Sequence, residues 1–149
     1  MLQLPIEGGC GCGAVRYSIT EKPRLLTLCH CTTCQKRTGS AFAMTLVVLR
    51  AGVFVQGETI TRDLKTGSGN INRHHFCNEC LVRTHTEPNA LPKLTFVRPG
   101  TLDNPHQFAP AAQIWSRSAL KWALNNDIRC YEENIDDAAH LVAEWQSSL

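Results

Sequence analysis

The sequence predicts a mainly β fold: short antiparallel strands organised around cysteine clusters, with one helix at the C-terminal end. Three observations lead there. Apolar residues recur with period two over short runs, Gly and Pro punctuate those runs closely, and the one sustained 3.6-residue apolar period lies near the C-terminus. At 149 residues the chain reads as a single domain over residues 1–149, long enough to bury roughly 70% of the surface its unfolded form exposes.

Along the chain, residues 13–20 (GAVRYSIT) alternate Val15, Tyr17 and Ile19 with small or polar neighbours, a half-buried strand entered directly from Cys10 and Cys12. Further strands are expected at Leu25–Cys29, Phe42–Leu49, Val53–Gln56, Ile60–Lys65, Ile71–Phe76, Val82–Thr86 and Leu94–Val97. Turn signals separate them, among them Ala51-Gly52, Gly67-Ser68-Gly69-Asn70 and Pro99-Gly100. The polar stretch Thr32–Arg37 reads as a turn or a single short helical turn leaving the cysteines. In Asp136–Ser147, Ala138, Leu141, Val142 and Trp145 form an apolar stripe at i, i+3, i+4, i+7, with Asp136 or Asp137 available as N-cap and the stripe packed on the sheet.

Composition narrows the function classes. The formal net charge is +2 and the basic residues are scattered, so no Lys/Arg run marks a nucleic-acid face or a polybasic membrane patch. A modest positive excess suits a small anionic ligand. There is no apolar run of about 18 residues for a membrane span, and MLQLPIEGGCGCG has neither the positive start nor the apolar stretch of a signal peptide. A reducing cytoplasm is the expectation, and there the eight cysteines read as metal ligands or catalytic groups before they read as disulfides.

The spacing carries the chemistry. Cys10 and Cys12 form a CxC, Cys77 and Cys80 a CxxC knuckle, and Cys29, Cys31 and Cys34 combine both spacings in CHCTTC. A closed structural zinc site takes four protein ligands, whereas a catalytic one usually takes three and keeps a position for water or substrate. Four distal cysteines plus a separate three fit one site of each kind, two zinc ions per chain. Strand alternation would put Cys10 and Cys12 on one face, and His30 opposite its cysteine neighbours. His74, His75 and His85 flank the knuckle, and each reads as a surface or core residue before a ligand. With no fourth protein ligand, the three-cysteine ion would be open to a thiol, water or carbonyl, and would hold a bound thiol as thiolate at neutral pH.

The segments GGCGCGAVRY, CHCTTCQKRTGSAF, RHHFCNEC, VRPGTLDNP and QIWSRSALKW, in this order and spacing, resemble the glutathione-dependent formaldehyde-activating (GFA) enzymes, which include the centromere protein V-like proteins. The resemblance covers about residues 7 to 122. It implies a β-tent fold, a structural zinc on Cys10, Cys12, Cys77 and Cys80, and a functional zinc on Cys29, Cys31 and Cys34. The activity it implies is carbon–sulfur lyase chemistry: condensation of glutathione, or a related thiol, with formaldehyde or a similar small aldehyde to an S-hydroxymethyl adduct. The thiol's carboxylates are expected near Lys36, Arg37, Arg73 or Arg117.

Two positions depart from the family pattern. Leu81 stands where Gly usually follows the second CxxC; a left-handed backbone there would cost about 1 kcal/mol or more, which argues for a differently shaped knuckle. Gln113-Ile114 stands where the family commonly has His-Ile, which bears on substrate preference. Two further readings belong to other classes. One is a glutathione-, thiol- or zinc-binding protein that accelerates nothing. The other is an interaction or redox protein, since the β-tent is shared with guanine-nucleotide-release chaperones and peptide methionine sulfoxide reductase B. A chromatin role would call for a basic extension that is not seen, and a reductase for a redox thiol outside the zinc sites, where only Cys130 remains, expected to be buried and inert.

Overall fold

A computed structural model describes residues 2–149. In chain order the strands are β1 (Ile6–Gly9), β2 (Arg16–Ile19), β3 (Leu25–Cys29), β4 (Ala43–Leu49), β5 (Val53–Gln56), β6 (Thr59–Lys65), β7 (Ile71–Cys77), β8 (Arg83–Pro88), β9 (Leu94–Val97), β10 (Ala112–Ile114) and β11 (Arg129–Cys130). Helix α1 (Thr32–Thr38) follows β3, and α2 (Ala138–Ser147) closes the described chain. The strands form a three-stranded sheet, β1-β2-β5, and an eight-stranded sheet, β11-β10-β3-β4-β9-β8-β7-β6. The architecture is mainly β with a C-terminal helix, as the sequence predicts. Pairing is antiparallel except at one edge, where β10 runs parallel to both β3 and β11. Among the described residues no helix is long and apolar enough to cross a membrane.

The core lies where the inner faces of the two sheets meet α2. Tyr17 and Ile19 from the small sheet, Leu26, Leu46, Val48 and Val97 from the large one, and Leu141 and Trp145 from α2 belong to one buried cluster. Each such side chain contributes about 1.5–3 kcal/mol on leaving water. Trp145 also donates its indole N–H to the Ala109 carbonyl at 2.9 Å and lies 6.0 Å from the Phe108 ring. Of the predicted stripe, Leu141 and Trp145 are buried, Val142 half-buried and Ala138 exposed. Asp137 is the N-cap residue, but its carboxylate makes no cap bond. It accepts instead from Arg129 at 3.0 Å and from the Tyr131 hydroxyl at 2.5 Å, tying α2 to the chain after β11.

The VRPGTLD segment joins the sheets. Thr101 Oγ1 lies 2.7 Å from the Tyr17 hydroxyl, Leu102 bridges Gly8, and Asp103 receives Arg16. Gly8 is required here, since a Cβ would fall 2.4 Å from the Tyr17 oxygen and 2.6 Å from the Thr101 carbonyl. Two expectations are corrected. Thr32–Arg37 is not a lone turn but the body of a seven-residue helix, stopped at Gly39, whose φ of 65° and N–H bonded to the Gln35 carbonyl make a left-handed C-cap. Cys130 is exposed, because β11 is the open edge of the large sheet and nothing covers it.

Candidate functional site

The four distal cysteines converge. Cys10 follows the last residue of β1, Cys12 sits in the turn to β2, Cys77 ends β7, and Cys80 lies in the turn to β8. Their sulfurs all lie within 4.8 Å of one another, with Cys10–Cys12 at 3.5 Å and Cys12–Cys77 at 3.7 Å. A tetrahedral ion with metal–sulfur bonds of about 2.3 Å would space its sulfurs about 3.8 Å apart, so the group fits a metal ion.

The first pair converges through a turn, not through the strand alternation expected of it. The Cys10 N–H bonds the Val15 carbonyl at 3.0 Å, and the Val15 N–H returns to the Cys10 sulfur at 3.2 Å. Gly13, with φ 81°, makes that reversal. The knuckle closes the same way: the Cys77 N–H bonds the Val82 carbonyl at 2.9 Å and the Leu81 N–H bonds the Cys77 carbonyl at 3.1 Å. Leu81 adopts φ 60°. The glycine-type turn is therefore retained with a leucine in it, contrary to the expectation of a different shape.

Cys29, Cys31 and Cys34 form a second converging group, again within 4.8 Å. Cys29 ends β3, Cys31 is the N-cap of α1, and Cys34 occupies the helix's first turn, donating its N–H to the Cys31 sulfur at 3.3 Å. Hydrogen bonds from the Cys29 and then the Cys34 thiol draw the Cys31 pKa far down, while the hydrogen bonds Cys29 makes to Cys31 and then to Cys34, with its burial, push the Cys29 thiol far up. Three sulfurs at one point are a donor set suited to a soft or borderline cation.

His30 between them is no member of the group. Its fully buried ring pairs through Nε2 with Gln113 Oε1 at 3.2 Å and meets Phe42 edge-on at 5.3 Å. The His30 backbone is held on both sides: its N–H bonds the Ile114 carbonyl at 3.0 Å, and its carbonyl accepts from Gln35 Nε2 at 2.8 Å and Ser118 Oγ at 3.0 Å. Gln113 further donates to the Asn125 carbonyl at 2.6 Å and accepts the Asn125 N–H at 3.1 Å. The segment 113–118 therefore clamps the cysteine loop from the parallel edge. His74, His75 and His85 join neither group; His75 and His85 stack at 4.1 Å, with His75 on Glu87.

The three thiols open on a cleft of about 660 Å³. One wall is apolar, formed by Val47, Phe96, Ile114, Trp115 and Ile135. Trp115 takes φ 58°, which turns the chain after β10, and donates its indole N–H to Asn134 at 3.1 Å. The other wall is basic. Arg37 and Arg117 line the cleft; Lys36 and Arg73 do not, Lys36 being exposed elsewhere and Arg73 paired with Asp63 at 2.9 Å. Arg83 and Arg98 also line it, and sequence reading passed over both. Their only signal was position, Arg83 three residues past the knuckle and Arg98 opening RPGTLD.

Fold and site together define a mainly β protein with two cysteine groups that can each bind a metal ion, one enclosed by four thiols and one of three thiols facing a cleft. Residues 5–118 match the family model described as glutathione-dependent formaldehyde-activating enzyme, and the chain belongs to that family. It is 24% identical over 153 residues to a Halomonas elongata protein named "Putative glutathione-dependent formaldehyde-activating enzyme", covering 97% of this chain and 96% of the relative. Its fold is similar to the crystal structure of a Rhodobacter sphaeroides protein, with TM-score 0.51 and 18% identity over 85% of this chain and 99% of the other.

Proposed function

We propose that this chain is a zinc-dependent carbon–sulfur lyase of its family, condensing glutathione or a related small thiol with formaldehyde or a similar small aldehyde to the S-hydroxymethyl adduct. One observation carries the reading: Cys29, Cys31 and Cys34 converge at a cleft, and among the described residues no fourth protein donor joins them. Cys10, Cys12, Cys77 and Cys80 would hold a structural zinc, and Cys29, Cys31 and Cys34 a second one. A zinc ion on three thiolates supplies an open position that favours the thiolate form of an entering thiol.

The protein's own part is to bind and orient. The apolar wall of Ile114 and Trp115 excludes water beside the thiols, and Arg37 offers guanidinium donors to the thiol's carboxylates, while Arg117, which also lines the cleft, is already paired with Glu133. The sulfur attacks the aldehyde carbon, a carbon–sulfur bond forms, the carbonyl π pair moves to oxygen, and that oxygen takes up the proton the thiol has lost. Nothing is oxidised or reduced.

One observation favours a second reading, binding without acceleration. Among the described residues no Asp or Glu lines the cleft, and its one histidine, His74, is buried and pulled down to about 3 by burial and then by Arg83 and Arg37, so the cleft offers neither a carboxylate nor a near-neutral imidazole to carry that proton. Exchange NMR on glutathione and formaldehyde, with the metal-loaded protein and its Cys31→Ser variant, separates the two. The lyase gives adduct exchange above the spontaneous rate that is lost in the variant; a rate equal to the spontaneous one refutes it, and saturable thiol binding alongside that null rate establishes the binder.

A further inference from the structure

Three of the four arginines that line the cleft have no counter-charge. Arg37, Arg83 and Arg98 line the 660 Å³ cleft and also a second cavity of about 570 Å³ behind it, so they form the partition between the two. Neither cavity is lined by an Asp or a Glu. Among the described residues none of the three arginines is in an ion pair, in a chain whose Arg16, Arg50, Arg73, Arg117 and Arg129 all are. A divalent ion on three thiolates carries one net negative charge against these three positive ones. Half-buried charge of one sign left unbalanced in this way is unfavourable, and an anionic ligand relieves it.

Hydrogen bonding points the same way. Arg98 reaches the Met44 carbonyl at 3.1 Å, Thr45 Oγ1 at 3.2 Å and Thr86 Oγ1 at 3.0 Å, yet its Nε is buried with no partner. Arg83 Nη1 lies 3.1 Å from His74 Nδ1 and Arg37 Nη1 lies 3.4 Å from His74 Nε2. A neutral imidazole has one acceptor nitrogen, so whichever accepts, one of the two guanidiniums keeps an unmatched N–H. His74, 2% exposed, thus spaces Arg37 and Arg83 without satisfying both.

We propose that Arg37, Arg83 and Arg98, spaced by His74 and Thr86, form an anion subsite in the partition between the two cavities, and that it takes a carboxylate of the thiol whose sulfur lies at Cys29, Cys31 and Cys34. The subsite deepens the reading of the cleft as a thiol site and rests on it for the identity of the ligand. It makes a carboxylate-bearing thiol the preferred substrate class over a neutral one of equal reach.

The test is calorimetric titration of the metal-loaded protein with mercaptopropionate, with mercaptoethanol, which lacks the carboxylate, and with succinate, which lacks the sulfur. Loss of charge-assisted hydrogen bonds from one guanidinium should weaken mercaptopropionate about 10- to 100-fold in Arg83→Gln while mercaptoethanol changes less than about twofold. Arg83→Lys, which keeps the charge but not the fork, should fall between. Succinate should bind the wild type and be weakened in parallel by Arg83→Gln. Should neither thiol bind, saturable and Arg83-dependent succinate binding would still establish the anion subsite while removing the thiol reading. Equal effects on both thiols, or succinate binding indifferent to Arg83, would overturn the subsite. Arg37→Gln, at a residue on the short helix α1, supplies the same comparison if Arg83→Gln does not fold.

Discussion

Leu81 offers a direct measurement of backbone strain at a metal knuckle. Its φ of 60° places an L-residue in the left-handed region, which costs about 1–2 kcal/mol. The side chain is 62% exposed, so truncation to Ala forfeits only about a third of a full leucine burial, about 0.5–1 kcal/mol. Leu81→Ala keeps the strain and loses that contact; Leu81→Gly loses the contact and the strain, and returns about 0.5–1 kcal/mol through the greater freedom of glycine in the unfolded chain. The contact term cancels between the two variants, leaving the Gly form more stable than the Ala form by about 0.75 kcal/mol at the middle of these ranges. For a chain of this size that is about 2–4 °C in thermal midpoint per kcal/mol. Binding of the proposed ion at Cys77 and Cys80 would be coupled to folding, so the Gly form should also hold that metal longer against a chelator. The assay is thermal and urea unfolding of both metal-loaded variants beside wild type. A Gly variant no more stable than the Ala variant would refute the assignment of strain to this turn.

Other expectations follow from the same geometry. Cys31→Ser should lower the metal content from two ions per chain to one with the circular dichroism spectrum unchanged, whereas Cys77→Ser, at a fully buried ligand, should abolish the folded state; elemental analysis with circular dichroism reads both. Gln113→Ala leaves His30 Nε2 and both backbone groups of Asn125 without their partner, which should cost about 2–4 kcal/mol in urea unfolding and weaken metal retention by the cysteine loop. His85 is held down to about 3 by burial, then by His75, Arg98 and Arg50, against about 6.5 in the unfolded chain. Between those values the unfolded state takes up a proton that the folded state refuses, so stability falls as pH falls, by about 2 kcal/mol from this residue at pH 5. His85→Asn should remove that portion of the difference between unfolding curves at pH 7 and pH 5.

The parts of this molecule written locally were legible in its sequence. Leu25–Cys29, Val53–Gln56 and Leu94–Val97 begin and end where alternation and turn residues put them, and the two cysteine groups follow from spacings of two and three residues. What could not be read there depends on partners far along the chain. β1, with the sequence IEGG, carries a weak strand signal of its own; Tyr17 and the Thr101 carbonyl leave no room for a Cβ at Gly8, and the Val15 carbonyl and Arg16 side chain leave none at Gly9. β10 is three residues long with the polar Gln113 buried at its centre, and its parallel pairing with β3 on one side and β11 on the other makes it a strand. Arg83 and Arg98 read as two surface basic residues among fifteen until β8 and β9 carry them to the cleft. Leu81 shows the converse: the turn is dictated by its hydrogen bonds to Cys77, and the residue adapts to it.

The four-thiol group also joins distant parts of the chain. Cys12 and Cys77 are 65 positions apart, and Cys29, Cys31 and Cys34 lie inside the loop that an ion there would close. Tying that loop shut removes much of the chain's unfolded freedom. With four thiolate ligands against three, the outer group would hold its ion the more tightly and give it up last. A protein carrying a single ion should hold it between the two turns, still folded and with its cleft thiols free.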